Sequence, residues 1–264
     1  MFNFFGKKAF QNFFKKLHRI SLIGMNYSSA RKYGDNGEKN VLKMFKKKFP
    51  LQDSLVIFDV GANLGVYSQY ILKLFEDLPY ELYAFEPSRS AYEQLSKSIG
   101  SRSNIHLENQ GLSNQTGDLE LFFDKQASPL ASVYPRDLKH TLIDFDKKEI
   151  IQVITLDRFC QDRKIDVIHF LKLDVEGHEL AVLEGSKDLL AQGAIHCIQF
   201  EFGGCNIDSR TYFKDLFGLL NKDFSLYRIV RDGLVPIETY DEKLEIFQSC
   251  NFLAVFRGLA VSFS

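Results

Sequence analysis

The sequence predicts an α/β fold in which a mostly parallel sheet carries helices on both faces. Residues 55–74 hold the clearest unit: an apolar, β-branched run, a turn rich in glycine, and then apolar residues at helical spacing. Two more apolar runs, residues 82–85 and 167–173, are each followed by an acidic residue. Continuous apolar runs are typical of strands that are buried on both faces of a parallel sheet.

Length and composition predict one domain with an appendage. A chain of 264 residues, 45% of them hydrophobic, can bury one sizeable core, and we expect a helical arm at residues 1–50 before a domain at 51–264. The formal net charge of −1 argues against a nucleic-acid partner. The four cysteines show no metal-ligand spacing, which favours reduced thiols. The oligomeric state stays open.

The N-terminal arm is basic and amphipathic. No acidic residue occurs before Asp35, and apolar side chains recur at one helical face from Phe10 to Leu17. Such a helix can lie on an anionic membrane or a partner through residues 1–20, or pack on the domain as a lid. No secretory signal or spanning segment is evident, so we expect a cytoplasmic protein, with peripheral contact at the inner face of the membrane as one alternative.

The turn after the first strand predicts the ligand. Glycine allows positive φ and a close approach to the backbone, and the crevice beyond the strand ends is the usual ligand site. A dinucleotide motif needs glycines where this chain has Asn63 and Val66. Asp59 suits an ammonium group better than a diphosphate. The pattern therefore favours S-adenosylmethionine over a nicotinamide cofactor, and Glu86, which follows the second strand, is expected to bind both ribose hydroxyls.

Three motifs, FDVGANLGVYS, AFEPS and FLKLDVEGHELAVLEGS, resemble the FkbM family of methyltransferases, which use S-adenosylmethionine, and the likeness runs over about residues 37–257. It implies a class I methyltransferase (Rossmann-like) fold, with a mostly parallel seven-stranded sheet and an antiparallel C-terminal edge hairpin. It also implies O-methylation of a hydroxyl on a carbohydrate, a lipid-linked glycan or another small metabolite. The residues expected to bind the cofactor are Asp59, Gly61, Asn63, Gly65, Glu86, Asn109 and Asp174.

The other elements follow from apolar periodicity and turn residues. Helices are expected from Glu38 to before Pro50, after Ser88, and from His178 to near Gly193. Alternating residues 118–123 predict an added strand, and the irregular segment 124–148 lies where an acceptor could enter. Further strands are expected at residues 104–109, 150–156, 195–202, 224–230 and 251–257, with a linker at residues 231–249.

The strand that ends at Asp174 brings candidate bases to the same sheet edge. Methyl transfer to a hydroxyl is helped by a group that accepts its proton. Four side chains at this edge could do so, namely those of Asp174, Glu176, His178 and Glu201. His178 has the ordinary pKa nearest neutrality and is the first choice. An Mg²⁺ ion held by the carboxylates would be a second way to activate the hydroxyl, and it is not favoured, because no acid-and-asparagine pair follows the next strand closely. The candidate catalytic residues are His178, Glu176, Asp174 and Glu201.

The sequence thus predicts an O-methyltransferase that uses S-adenosylmethionine. Two other functions stay open at this point. One is a nicotinamide-dependent oxidoreductase, and the other is a non-catalytic membrane or partner adaptor that retains the fold. The intact turn at Gly61 and Gly65 and the acid at Glu86 argue against a cleft that has lost its ligand.

Overall fold

The fold was derived from a computed structural model, which describes residues 4–27, 36–48, 54–100 and 102–259. Residues 1–3, Arg31, Lys32 and Pro50, on which parts of the predicted arm rest, lie outside the described residues. The strands in this part of the chain are β1 (Leu55–Val60), β2 (Tyr80–Phe85), β3 (Ile105–Glu108), β4 (Gly111–Leu112), β5 (Gly117–Phe123), β6 (Lys147–Ile154), β7 (Ile168–Leu173), β8 (Ile195–Phe202), β9 (Phe224–Val230), β10 (Gly233–Ile237) and β11 (Cys250–Phe256).

Helices follow β1, β2, β6, β7 and β8, whereas the described residues between β3 and β6 form no α-helix. The described α-helices are α1 (Gln11–Gly24), α2 (Glu38–Lys48), α3 (Val66–Leu74), α4 (Arg89–Ile99), α5 (Leu156–Arg163), α6 (Glu179–Glu184), α7 (Lys187–Ala191), α8 (Cys205–Ser209) and α9 (Phe213–Leu220). Within the described ranges, no helix combines the length and apolarity needed to cross a bilayer.

The predicted fold class is confirmed. The main sheet has the order β10-β9-β11-β8-β7-β1-β2-β3, and β1, β2, β3, β7 and β8 are parallel to one another. Strand β11 is antiparallel to both β8 and β9, as the predicted hairpin requires. The sheet contains eight strands and not seven, because part of the predicted linker pairs with β9 as strand β10.

The predicted added strand belongs to a second sheet. Strands β4, β6 and β5 form this three-stranded sheet, in which β5 and β6 are antiparallel. Its inner face carries Leu121, Ile151 and Val153, which pack together. The sheet covers the carboxyl-terminal edge of the main sheet and forms one wall of a cavity there.

Two local predictions need refinement. The single helix expected between His178 and Gly193 is two helices, α6 and α7, because the Asp157 carboxylate accepts hydrogen bonds from the first N–H groups of α7 at 3.0 Å. Helix α2 falls within the predicted arm, yet its apolar side chains Val41, Leu42 and Phe45 are fully packed in the domain core. The exposed part of the arm therefore ends before α2.

Candidate active site

A cavity of about 1090 Å³ lies at the carboxyl ends of β1, β2, β7 and β8. This is the place where an open α/β sheet binds its ligands. One part of its wall, the β1–β2 half, contains Gly61, Asn63, Glu86, Pro87 and Leu112. The opposite part, the β7–β8 half, contains Arg136, Asp174, Glu176, His178 and Glu201.

The turn after β1 requires a glycine at position 61. Gly61 has φ +81°, and its N–H and that of Ala62 donate to the carbonyl of Phe85 at 3.0 and 2.9 Å. A Cβ atom on Gly61 would lie 1.9 Å from the carbonyl oxygen of Asp174. The predicted need for positive φ is confirmed, and the backbone that approaches this glycine is that of the neighbouring strand end.

Glu86 points a carboxylate into the β1–β2 half. Its Oε2 accepts from the Asn63 N–H and its Oε1 from the Ser88 N–H, both at 2.8 Å. Burial raises the pKa of Glu86 to about 7, although the two amide hydrogen bonds lower it. A carboxylate has about four lone-pair positions, so each oxygen can accept one further hydrogen bond.

Three of the predicted cofactor residues lie behind the cavity wall. Asp59 is completely buried and accepts from Ser68 Oγ at 2.6 Å. Gly65 packs under Leu95 at the start of α3. Asn109 donates from Nδ2 to the carbonyl of Glu86 at 2.9 Å. Their direct contact with a cofactor stays a prediction, and the geometry gives each of them a supporting position.

Lys172 forms the centre of a buried charge network. Its Nζ lies 2.9 Å from Asp174 Oδ2, 3.6 Å from Asp59 Oδ1 and 4.7 Å from the ring centroid of Tyr67. Burial disfavours its charge, but Asp174, Asp59 and Glu38 outweigh that effect and raise the pKa of Lys172. The ammonium group beside Asp59 is therefore one supplied by the chain itself. In the sequence, this network is indicated by a lysine within the otherwise apolar run of residues 167–173.

The β7–β8 half concentrates carboxylates around one arginine. Arg136 Nη1 donates to Glu176 Oε2 at 2.7 Å, and Arg136 Nε lies 3.4 Å from Asp208 Oδ2. Glu201, at the end of β8, accepts from Ser249 Oγ. Burial, together with the charges of Asp174 and Glu176, raises the pKa of Glu201 well above its ordinary value. Arg136 belongs to the irregular segment, which gave no periodic signal for its position.

His178 is less available than its sequence position suggested. Its Nε2 lies 2.9 Å from Ser113 Oγ and its Nδ1 lies 3.0 Å from the hydroxyl of Tyr134. Burial lowers the pKa of His178 to about 4, which differs from the near-neutral value expected of it. Both ring nitrogens are thus engaged in hydrogen bonds, and the imidazole is neutral at physiological pH.

Glu179 is a buried acid that the sequence analysis missed. Its Oε1 accepts from the N–H groups of Val175 and Gly177 at 3.1 and 3.3 Å, so it closes the turn after β7. Its other oxygen, Oε2, is buried and has no hydrogen-bond partner among the described residues. Burial raises the pKa of Glu179 to about 7. In sequence it looked like an ordinary acid in the first turn of a helix.

The geometry of the acidic side chains bears on the metal alternative. In the described part of the chain, no group of three or more His, Cys, Asp or Glu side chains is arranged so that it could hold a metal ion. The carboxylates of Asp174, Glu176 and Glu201 therefore line one cavity without forming a ligand set. Burial and neighbouring charges raise the pKa values of Glu176 and Glu201, and Asp174 accepts from Lys172 Nζ at 2.9 Å.

Comparison with known sequences gives a family match over most of the domain. The family model described as "Methyltransferase FkbM domain" matches residues 59–252. The hexuronic acid methyltransferase AglP of Haloferax volcanii is 25% identical over 155 residues, which are 58% of this chain and 58% of that protein. Methyltransferase sdnD of Sordaria araneosa is 27% identical over 156 residues, which are 49% of this chain and 59% of that one. The matches thus span less than two thirds of either relative.

Solved structures give distant matches. The FkbM methyltransferase of Methylobacillus flagellatus has a TM-score of 0.45 and 15% identity, covering 92% of this chain and 70% of that one. Fibrillarin of Aeropyrum pernix, solved with natively bound S-adenosyl-L-methionine, has a TM-score of 0.41 and 13% identity, covering 87% and 86%. Similarity at this level transfers no function by itself.

Proposed function

The chain belongs to the FkbM methyltransferase family, and we propose that it moves a methyl group from S-adenosyl-L-methionine to a hydroxyl of a carbohydrate, a lipid-linked glycan or another small metabolite. The observation that supports this best is the carboxylate of Glu86. It lies at the end of β2, lines the cavity, and is oriented by two backbone amides. A carboxylate at that position is suited to a ribose.

The chemistry of the cavity wall fits this methyl donor. The free lone pairs of Glu86 can accept hydrogen bonds from two vicinal hydroxyls. Phe85, Pro87 and Leu112 offer apolar surface for an aromatic base. Asp174, whose side chain is 36% exposed and oriented by Lys172, offers a negative charge for an ammonium group. When bound, the donor supplies a methyl group on a positively charged sulfur, and the chain supplies alignment, which can lower a barrier by several kcal/mol.

We assign the base in this reaction to Glu201. A base must reach the acceptor hydroxyl and must have a pKa raised toward the working pH. Glu201 lines the cavity, and burial and like charges raise its pKa. Glu176 is its closest competitor, but its charge is paired with the Arg136 guanidinium, whereas Glu201 accepts from the uncharged Ser249 hydroxyl. His178 is a weaker base than either of them, because burial lowers its pKa.

The acceptor we propose is a sugar hydroxyl. Carboxylates accept hydrogen bonds from vicinal hydroxyls, and the β7–β8 half offers Glu176 and Glu201 side by side with the donor groups of Arg136. The similarity to a hexuronic acid methyltransferase points to the same class of acceptor. A guanidinium has five N–H donors, so Arg136 can donate to sugar oxygens in this half of the cavity in addition to Glu176.

Titration calorimetry tests the donor before the acceptor is known. We expect the full chain to bind S-adenosyl-L-methionine and not NAD, and to bind it more weakly when Glu86 is replaced by Ala. Transfer of a radiolabelled methyl group to hexuronic acid glycans and to neutral glycans then identifies the acceptor class. Binding of NAD with no binding of the methyl donor would contradict the proposal and favour an oxidoreductase.

A further inference from the structure

Helix α1 carries an apolar face that the domain does not cover. Within its 14 residues, Phe13, Leu17 and Ile20 follow each other at helical spacing, and they are 56%, 50% and 65% exposed. Phe10, just before the helix, extends the same face. Single exposed apolar side chains are ordinary, but a contiguous row of this kind marks an interaction surface.

The opposite side of α1 is the one that faces the domain. Leu22 is buried in the main core cluster, whereas Arg19 and Ile23, on the flanks of the helix, reach the cavity wall. At about 100° of rotation per residue, Leu22 lies roughly opposite Phe13 and Ile20. The helix therefore does not act as a lid that buries its aromatic face. That face points outward, while Leu22 anchors the C-terminal end of the helix to the domain.

The charges around this face are all of one sign. Before Asp35 the chain has seven of its 33 Lys and Arg residues and none of its 34 Asp and Glu residues. Among the described residues, the five in or near α1 make no ion pair: Lys7, Lys8, Lys15, Lys16 and Arg19. An apolar row flanked by cations complements a lipid bilayer that has an apolar interior and anionic headgroups.

A second apolar projection lies at the same cavity. Leu142 is 97% exposed, and its neighbours Thr141 and Ile143 both line the cavity. Lys139 and His140 precede it in a short 3-10 turn. Asp144 and Asp146 follow it, so this loop repeats the exposed apolar side chain of the α1 face but not its uniform positive charge.

We propose that α1 docks on a bilayer containing anionic lipids and that the loop at Leu142 enters the same boundary, so that the cavity mouth faces the membrane. The bilayer takes up the apolar row, and the lysines pair with the lipid phosphates. A further statement rests on the proposed function: the acceptor is a lipid-linked glycan, whose sugar enters the cavity while its lipid remains in the membrane. Docking itself does not depend on methyl transfer.

Tryptophan fluorescence can report this orientation, because the chain contains no tryptophan. The variants Leu17→Trp, Leu142→Trp and Lys222→Trp each place one reporter in the full chain. Lys222 is exposed and precedes β9, whose first residue pairs with Phe256 at the edge of the sheet opposite the cavity. Vesicles of phosphatidylcholine mixed equally with phosphatidylglycerol should shift emission to the blue at positions 17 and 142 and not at 222. A shift at all three positions, or at none, would overturn the proposal, and a shift at 17 alone would overturn the orientation.

A charge reversal on the apolar face provides the second test. Ile20→Asp should reduce cosedimentation with these mixed vesicles at least tenfold, and wild-type binding should fall equally on phosphatidylcholine vesicles alone. Ile150→Asp is the matched control, because Ile150 on β6 is also 65% exposed. Retained binding of S-adenosyl-L-methionine by Ile20→Asp separates lost docking from lost folding or lost methyl-donor binding. A dimer of the wild type that Ile20→Asp dissociates would mean that a second copy, and no bilayer, covers this face.

Discussion

The turns after β1 and after β7 follow the same plan with opposite electrostatic results. Each follows a buried parallel strand, contains a glycine with positive φ, and leads into a helix. Within residues 59–65 the chain has one acid, Asp59, and Lys172 lies 3.6 Å from it inside the protein. After β7, Asp174, Glu176 and Glu179 follow within six residues and lie close to Glu201.

The difference suits the β1–β2 half to ligand binding and the β7–β8 half to proton transfer. In the β1–β2 half, backbone amides hold the one carboxylate of Glu86, which keeps a fixed acceptor for a ligand. In the β7–β8 half, burial and then like charges raise the pKa values of Glu201 and Glu176, and a raised pKa makes a carboxylate a better base. Perturbed groups of this kind in a cleft are typical of catalytic sites.

The largest effect is expected in the β7–β8 half. Glu201→Gln keeps the shape of the side chain and removes the base, so turnover should fall by about 10²–10⁴-fold while affinity for the methyl donor is kept. His178→Ala is the matched comparison, and it should lose less turnover than Glu201→Gln. Single-turnover methyl transfer measures both. If His178→Ala loses more, the base is the histidine and the two halves do not differ as described.

The next effect concerns the contact between the two turns. Gly61→Ala would place Cβ 1.9 Å from the Asp174 carbonyl oxygen at a φ of +81°, and we expect a loss of about 3–5 kcal/mol in the free energy of unfolding. Gly100 has φ +70° and ψ −175° and no heavy atom within 4 Å of an added Cβ, so Gly100→Ala should lose about 1–3 kcal/mol through backbone strain alone. Equal losses in urea denaturation would mean that the contact carries no energy.

A smaller effect is expected from the buried acid after β7. The folded pKa of Glu179, about 7, is above its ordinary value of 4.5, so the stability that its proton contributes is present below pH 4.5 and is lost as the pH rises through 7. Over this pH range the free energy of unfolding of the wild type should fall by about 3 kcal/mol because of Glu179, and that of Glu179→Gln should not show this fall. Urea denaturation of both proteins at pH 5 and pH 8 measures it. Parallel pH profiles would show that the Glu179 carboxyl is not held in its protonated form.

The smallest effect is the one in the β1–β2 half. Glu86→Ala should weaken the binding of S-adenosyl-L-methionine by about 1.5–3 kcal/mol, the scale of hydrogen bonds to a charged group. Because the pKa of Glu86 is raised to about 7, wild-type affinity should also fall as the pH drops through 7, and Glu86→Gln should lose that dependence. Calorimetry at pH 6 and pH 8 tests both statements, and a folded Glu86→Ala protein with unchanged affinity would contradict them.

The sequence predicted what depends on local pattern. Apolar runs located the parallel strands, and glycine spacing located the turn at Gly61, because both reflect constraints within a few residues of chain. Glu86 could be placed because it directly follows a strand. The eighth strand could not, since the exposed residues of β10 show no apolar alternation and only their pairing with β9 defines them.

The residues that were missed act over long distances. Arg136 contacts Glu176 and Asp208 from an irregular segment, so no periodicity located it. The low availability of His178 depends on Ser113 and Tyr134, which come from separate parts of the chain. Burial and partners of this kind decide a pKa value, and neither is visible in a sequence motif.

The network around Lys172 bears on how a reaction cycle would end. Three acids, Glu38, Asp59 and Asp174, surround this single ammonium group, so the buried cluster holds more acidic than basic groups. In the proposed reaction the donor arrives with a positive sulfur, and the spent donor leaves as a neutral thioether. The cluster attracts the first more strongly than the second. Because the cluster holds the positively charged donor more tightly than the neutral thioether, it also helps to release the thioether and to limit product inhibition.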